Sequence, residues 1–326
     1  MDTSKPAGEY LLGAQAVPEV PVVSGNRLAP ETEQAAALCT PSLPSFFIIG
    51  PPRTGTTWLH EVLGKRSILP SPVKETRFFD VHFQRGLEWY RAHFRRSAGE
   101  AVGEVAPTYF ASDEARERLI RTFPEARIIC IFRDPVERII SHYRVKRAYG
   151  MLAWDLEQAI RRDPELIESS KYATHLKAWQ RTFGRDQVVA TLYDDLRDQP
   201  QTYVDSLADV VGMPRFPLSP IETTQVHSSK SLTLPRSYPL TRSATLTAEW
   251  CKARRLHSIV WLVKSSPLKR LLLGGGPPFA QLPAKALSRL YERFRPEVED
   301  LEAVLNRDLS AWKYPRFARV NLSETA

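Results

Sequence analysis

The stretch FFIIGPPRTGTTWLHEVL, residues 46–63, constrains this chain more than any other. An apolar run ends at Gly50, Gly55 follows, and Thr56 and Thr57 open a helical pattern. A buried strand, a glycine-punctuated loop and a helix start, in that order, make a phosphate-binding loop. The first N–H groups of the helix have no partners within it, and the positive end of its dipole faces whatever the loop holds. The glycines let the backbone turn tightly against an anion. The usual pattern, G-x-x-x-x-G-K-[ST], carries a lysine where this chain has Thr56. Arg53 is the only cation inside the loop, and Thr54, Thr56 and Thr57 add hydroxyls. The expectation is an anion held by backbone, hydroxyls and one guanidinium, without a metal.

Strand-like and helix-like runs alternate downstream. AVGEV (101–105), ARIICIF (126–132) and QVVATLY (187–193) read as strands, the second a continuous apolar run of the kind covered on both faces. Helices are expected over 56–65 and over 113–122, the latter with Asp113 as its cap. A third starts at Asp134, with Pro135 in the first turn and Glu137 closing a capping box. Others are expected over 169–183, ending at Gly184, and over 284–308, kinked or broken at Pro296. The stripes Tyr172, Leu176, Trp179, Phe183 and Leu287, Leu290, Phe294, Leu301, Val304, Leu305 read as faces packed against the sheet. The alternation predicts a single-domain α/β fold, with a mainly parallel central sheet flanked by helices and a P-loop-like phosphate-binding loop. The domain is expected over 45–315. Residues 1–44, with six prolines and no periodicity, read as a mobile tail, and 316–326 as a second tail.

Charge narrows the ligand. A net charge of +8 and a pI near 9.4 favour an anion. No nucleic-acid motif accompanies the charge, so no nucleic-acid partner is expected. Cys39, Cys130 and Cys251 form neither a metal spacing nor a disulfide framework and read as reduced thiols. No run of about 20 apolar residues is present, and the first residues lack a secretory pattern, so the expected location is cytoplasmic. The segment 251–273 carries six basic residues and no acidic ones. It reads as an ordinary helix with a solvated basic face, or as a surface resting on anionic membrane or lining a cleft for an acidic substrate.

Two separated blocks carry a family resemblance. PPRTGTTWL (51–59) resembles the loop that binds the 5′-phosphosulfate in sulfotransferases using 3′-phosphoadenosine 5′-phosphosulfate (PAPS), with Arg53 to Trp58 matching the pattern. RIICIFRDPVERIISHYR (127–144) resembles the same family's 3′-phosphate site. Its spacing makes chemical sense. Arg133 ends a strand, where open α/β sheets bind ligands. Ser141 lies about two turns into the next helix, so a guanidinium fork and a hydroxyl grip one phosphate. Between the blocks, SPVKETRFFDVHFQRGLEWYRAHF (71–94) resembles the carbohydrate-type branch, similar to heparan sulfate sulfotransferases and bacterial relatives.

That resemblance, which covers about 45–315, implies roles for individual residues. Glu75 becomes the general base and Lys74 a contact to the sulfuryl group. GEVAPTYF (103–110) resembles a stretch lining the acceptor cleft, where Glu104 either positions a substrate hydroxyl or serves the structure. VHSSKSLTLPR (226–236) stands where the family has a mobile loop over the cofactor, implying Ser229, Lys230 and Arg236 on the 3′-phosphate or adenine side. LNRDLSAW (305–312) resembles a terminal packing motif. His82 and His142 are read as ordinary side chains. In sulfuryl transfer a carboxylate takes the acceptor's proton, while Arg53 and the loop N–H groups stabilise charge on the leaving phosphate.

The expectation is therefore a PAPS-dependent O-sulfotransferase releasing 3′,5′-adenosine diphosphate. Its acceptor would be a sugar, a glycolipid or another small-molecule alcohol. A P-loop small-molecule kinase is one alternative, although it gives Arg133 and Ser141 no purpose. A non-catalytic ligand-binding relative is the other.

Overall fold

Four strands form one parallel sheet in the order β2-β1-β3-β4: β1 (Phe46–Ile48), β2 (Gly103–Val105), β3 (Arg127–Phe132) and β4 (Val188–Leu192). The chain starts in the middle, adds β2 on one side, then returns past β1 to add β3 and β4 on the other. The carboxyl ends of β1 and β3, adjacent in the sheet, therefore flank the point where the winding reverses, which is where such sheets bind ligands. A computed structural model describes residues 43–94, 100–224, 232–254 and 275–315, all of them in one compact unit. The expectations for 1–42, for Ser229 and Lys230, for the greater part of 251–273 and for 316–326 lie outside the described residues.

The apolar strands are covered on both faces, and the period of two decides which side chain goes where. Phe46 and Ile48, with Ile129 and Ile131, face helix α1 (Thr56–Leu63) and, farther along the chain, α9 (Pro200–Val211). Phe47 and Ile49, with Ile128, Cys130 and Phe132, face the opposite layer. That layer holds the aromatic segment 78–94 with the short α2 (Leu87–Arg91), α3 (Asp113–Thr122) and α7 (Tyr172–Phe183). The stripe Tyr172, Leu176, Trp179, Phe183 is buried there as expected, with the Trp179 N–H donating to Phe110 O at 2.9 Å.

A third apolar cluster joins α4 (Pro135–Ala148), α5 (Leu156–Arg162) and α6 (Glu165–Glu168) to α12 (Ala284–Leu305). The remaining helices are α8 (Tyr193–Asp198), α10 (Pro220–Thr224) and α11 (Tyr238–Ala253), and β5 (Thr233–Pro235) pairs with β6 (Gly275–Pro278).

Several local expectations change. The cap of α3 is Ser112, whose Oγ accepts from Ala115 N–H at 3.1 Å, and Asp113 is the first helical residue. The helix expected from 169 starts at Tyr172, because 165–168 forms its own turn. Its first N–H groups are met from elsewhere: Glu297 on α12 accepts from Ala173 N–H at 3.0 Å. Helix α12 runs unbroken through Pro296, and its stripe packs on α7 and α4, with the sheet lying beyond them. The Asp134 cap holds as expected, accepting from Val136 and Glu137 N–H groups, while the Glu137 carboxylate receives Arg133.

Candidate active site

The loop after β1 is shaped by close contacts. A Cβ on Gly50 would lie 2.4 Å from Ile131 Cγ2 and 2.7 Å from its backbone, so β3 runs directly beneath the loop. Gly55 adopts φ +97°, and a Cβ there would meet Leu196 at 2.8 Å and the Tyr193 ring at 3.2 Å. Between them Arg53 takes φ 81°, a left-handed conformation that aims its side chain across the loop at a cost in backbone energy. Thr54 is fully buried, with its hydroxyl on Pro51 O at 2.8 Å.

The N-terminus of α1 is left open. Gly55 has no side chain to cap it, and no acidic residue stands in the first turn. Ser112, Asp134 and Asp155 cap α3, α4 and α5 with oxygen acceptors. An uncapped helix start with its positive dipole end facing a glycine loop suits an exogenous anion.

Cations converge on this mouth. Arg53 Nε donates to Ser141 Oγ at 3.1 Å, so the loop and α4 meet although 88 residues separate them. Burial, and then the neighbouring Arg133, push the Arg53 guanidinium below its ordinary value. Arg133, leaving β3, donates through Nη2 to Glu137 at 3.0 Å, and its guanidinium stands 4.9 Å from the Tyr193 ring centroid. Its Nε is buried without a hydrogen-bond partner. A buried orphan donor beside a second guanidinium is costly until an anion accepts from it.

Beneath the loop lies Arg138, fully buried, donating to Ser170 Oγ at 2.6 Å, to Pro52 O at 3.4 Å and to Leu166 O. His142 Nδ1 stands 3.2 Å from it. Burial, with Arg138 and Lys146 nearby, holds His142 well below the usual imidazole range and hence neutral. Expected as an ordinary side chain, it is buried here.

The acceptor-side segment reaches the same loop. Lys74 Nζ lies 3.2 Å from Thr57 Oγ1 and 3.0 Å from Glu75 Oε1. An ammonium therefore stands at the loop after all, delivered from a different segment. Glu75 and Lys74 remain partly exposed, at 24% and 32%. His60, one turn below Thr57, has its pKa pushed down to about 4 by burial and by Lys74, and its Nε2 has no partner.

Three residues expected at the ligands make contacts within the fold. Glu104 does not face an acceptor: it is fully buried, with both carboxylate oxygens engaged by Thr76, Tyr90 and Tyr109. Trp58 lies in the core, and its Nε1–H donates to Glu222 O at 2.8 Å. Arg236 sits on β5, which packs against α4, and donates to Gly275 O at 3.0 Å. Arg138, Tyr193 and His60 were missed in the sequence. Arg138 had a signal, as the second arginine of the Arg-Asp-Pro-x-x-Arg-x-x-Ser block. Tyr193 had none, because only the sheet brings the end of β4 to Gly55.

A winding-reversal crevice, an uncapped glycine loop and paired guanidiniums define a site suited to a phosphate-linked anion. The comparisons specify the class. The model of the sulfotransferase domain family matches residues 43–255, and the chain belongs to that family. A bifunctional heparan sulfate N-deacetylase/N-sulfotransferase 1 of Caenorhabditis elegans is 28% identical over 54% of this chain and 23% of its own length. The human bifunctional heparan sulfate N-deacetylase/N-sulfotransferase 3 is 30% identical over 57% of this chain and 24% of its own. The chain thus spans about a quarter of these relatives. A sulfotransferase structure from Alicyclobacillus acidocaldarius matches with TM-score 0.58 and 22% identity, covering 84% of this chain and 100% of that one, and shares the fold. Among the described residues no helix is long and apolar enough to cross a membrane, and no cluster of three or more His, Cys, Asp or Glu side chains is arranged to hold a metal ion.

Proposed function

We propose that this chain transfers the sulfuryl group of PAPS to a hydroxyl of a carbohydrate or other small alcohol acceptor, with Glu75 as base. The observation that carries the reading is convergence on one loop. Arg53 joins Ser141 and adjoins Arg133 on one side, while Lys74 joins Thr57 to Glu75 on the other. The residues fit a donor with two phosphate positions: the open start of α1 with Thr56 and Thr57 for the 5′-phosphosulfate, and Arg133 with Ser141 for the 3′-phosphate. PAPS supplies the activated sulfuryl group. Arg53 and the α1 N–H groups stabilise charge on the leaving phosphate. Glu75 accepts the proton of the attacking hydroxyl, and Lys74 offers its ammonium to the sulfuryl oxygens. Gly55 and Thr54 act through the shape of the loop.

The relatives' names favour a second acceptor chemistry, a sugar amine. Labelled PAPS offered with a hydroxyl-only saccharide and with a free-amine glucosamine polymer separates the two. Binding of 3′,5′-adenosine diphosphate without magnesium is expected, whereas tight binding of magnesium–ATP alone would overturn the donor reading. The Glu75→Gln variant is expected to keep cofactor affinity and lose on the order of 100-fold in kcat. Unchanged turnover would remove Glu75 as base.

A further inference from the structure

Glu104 is a fully buried carboxylate in the middle of β2, opposite Phe47 of β1. An ionisable group at such a place is costly unless its lone pairs are met. Four donors meet them. Oε1 accepts from the Thr76 N–H at 2.8 Å and the Thr76 hydroxyl at 2.7 Å, and Oε2 accepts from Tyr90 OH at 3.0 Å and Tyr109 OH at 3.3 Å. The network extends one step further. Thr76 Oγ1 accepts from Phe78 N–H at 3.1 Å, and Tyr109 OH accepts from Phe79 N–H at 3.4 Å. Three sequence segments, around 76, 90 and 109, are tied to one strand by one carboxylate.

The residue before Thr76 is Glu75, whose carboxylate must stay beside Lys74 and the start of α1. Loop segments wander, and a displacement of about 1 Å at a reacting group can cost about 100-fold in rate. Glu104 holds the next peptide by both its N–H and its side chain, on a strand that cannot move independently of the sheet. We infer that Glu104 is the positioning residue of the base, anchoring the peptide after Glu75 to β2 so that the Glu75 carboxylate stays at the phosphate loop. Glu104 touches neither donor nor acceptor, and the inference rests on the reading of Glu75 as base.

The test compares two substitutions in two backgrounds. Glu104→Gln keeps an oxygen for Thr76, and both tyrosine hydroxyls can turn to accept from the amide, whereas Glu104→Ala removes every contact. In Glu104→Gln, kcat is expected within about threefold of wild type. In Glu104→Ala, kcat falls about 30-fold, with unchanged affinity for 3′,5′-adenosine diphosphate and faster amide exchange over 75–79. In the Glu75→Gln background, Glu104→Ala costs less than about threefold more, because a base that is gone cannot be misplaced. Equal losses in both backgrounds would overturn the inference, as would a loss of nucleotide affinity parallel to that of kcat. Glu75→Gln by itself reports on the base: full turnover there removes that reading whatever Glu104 does. Should Glu104→Ala not fold, Thr76→Val removes one donor and the acceptor for Phe78 N–H while keeping the side-chain shape. It is expected to lower kcat about tenfold at constant nucleotide affinity, and wild-type turnover in it would equally overturn the proposal.

Discussion

Replacing Glu104 by glutamine changes how stability depends on pH, and the sign follows from its surroundings. Burial raises its pKa from 4.5 to about 7, against the lowering effect of the hydrogen bonds from Thr76 and Tyr90. Between these values the folded protein holds a proton that the unfolded chain releases. The contribution of this group to stability is therefore fully present below pH 4.5 and is lost as pH rises through about 7. At about 1.4 kcal/mol per tenfold change, complete ionisation removes about 3 kcal/mol. For a domain of this size each kcal/mol moves Tm by about 2–4 °C.

Glutamine has no such proton, so Glu104→Gln should lack this component. Thermal unfolding of both proteins at pH 5 and pH 8, in one buffer series at constant ionic strength, measures it. Because pH 5 already lies above 4.5, this window captures about 2.5 kcal/mol of that change, and wild type is expected to lose about 5 °C or more beyond what the variant loses between the two pH values. Equal pH dependence in the two proteins, or a wild type that gains on the variant towards pH 8, would refute the reasoning.

Other expectations can be checked with standard assays. Arg133→Ala removes a charged donor and should weaken 3′,5′-adenosine diphosphate binding about 10–100-fold by calorimetry, with a shallower salt dependence than wild type. Gly55→Ala places a Cβ 2.8 Å from Leu196 at φ +97°. It should cost about 1–3 kcal/mol in denaturant unfolding and lower nucleotide affinity. Trp179→Ala empties a fully buried site and strands the acceptor Phe110 O. It should cost about 3–5 kcal/mol with little change in nucleotide affinity, since the site lies on the far layer of the sheet.

Much of the architecture was legible in the chain because it rests on local and periodic signals. FFIIG followed by a glycine loop and a helix start can be read from adjacent residues, and so can the Arg-Asp-Pro turn with its Asp134 cap. The doubly covered strands showed as continuous apolar runs, since both faces of the sheet are dry. Where local signals fell short, a distant partner decided. Helix α7 needs no cap of its own because Glu297 of α12 meets its N-terminus. Trp58, placed next to the loop by the motif, turns into the core because the helix period points it there and Glu222 O accepts its N–H.

At the site the division is sharper. Arg53, Thr57, Glu75, Arg133 and Ser141 are recognisable by residue type and spacing, because a phosphate loop and a strand-end arginine impose both. Spacing along the chain says nothing of which group faces which. Only the sheet, by laying β1 against β3 and β3 against β4, brings Arg53 onto Ser141 and Tyr193 beneath Arg133. Only the packing of 74–79 on β2 turns Glu104 from a cleft-lining carboxylate into a buried anchor, since burial and hydrogen-bond partners belong to the fold and not to the residue. The kinds of groups at the site are local properties of the chain, whereas their pairings are long-range contacts that no stretch of sequence encodes alone.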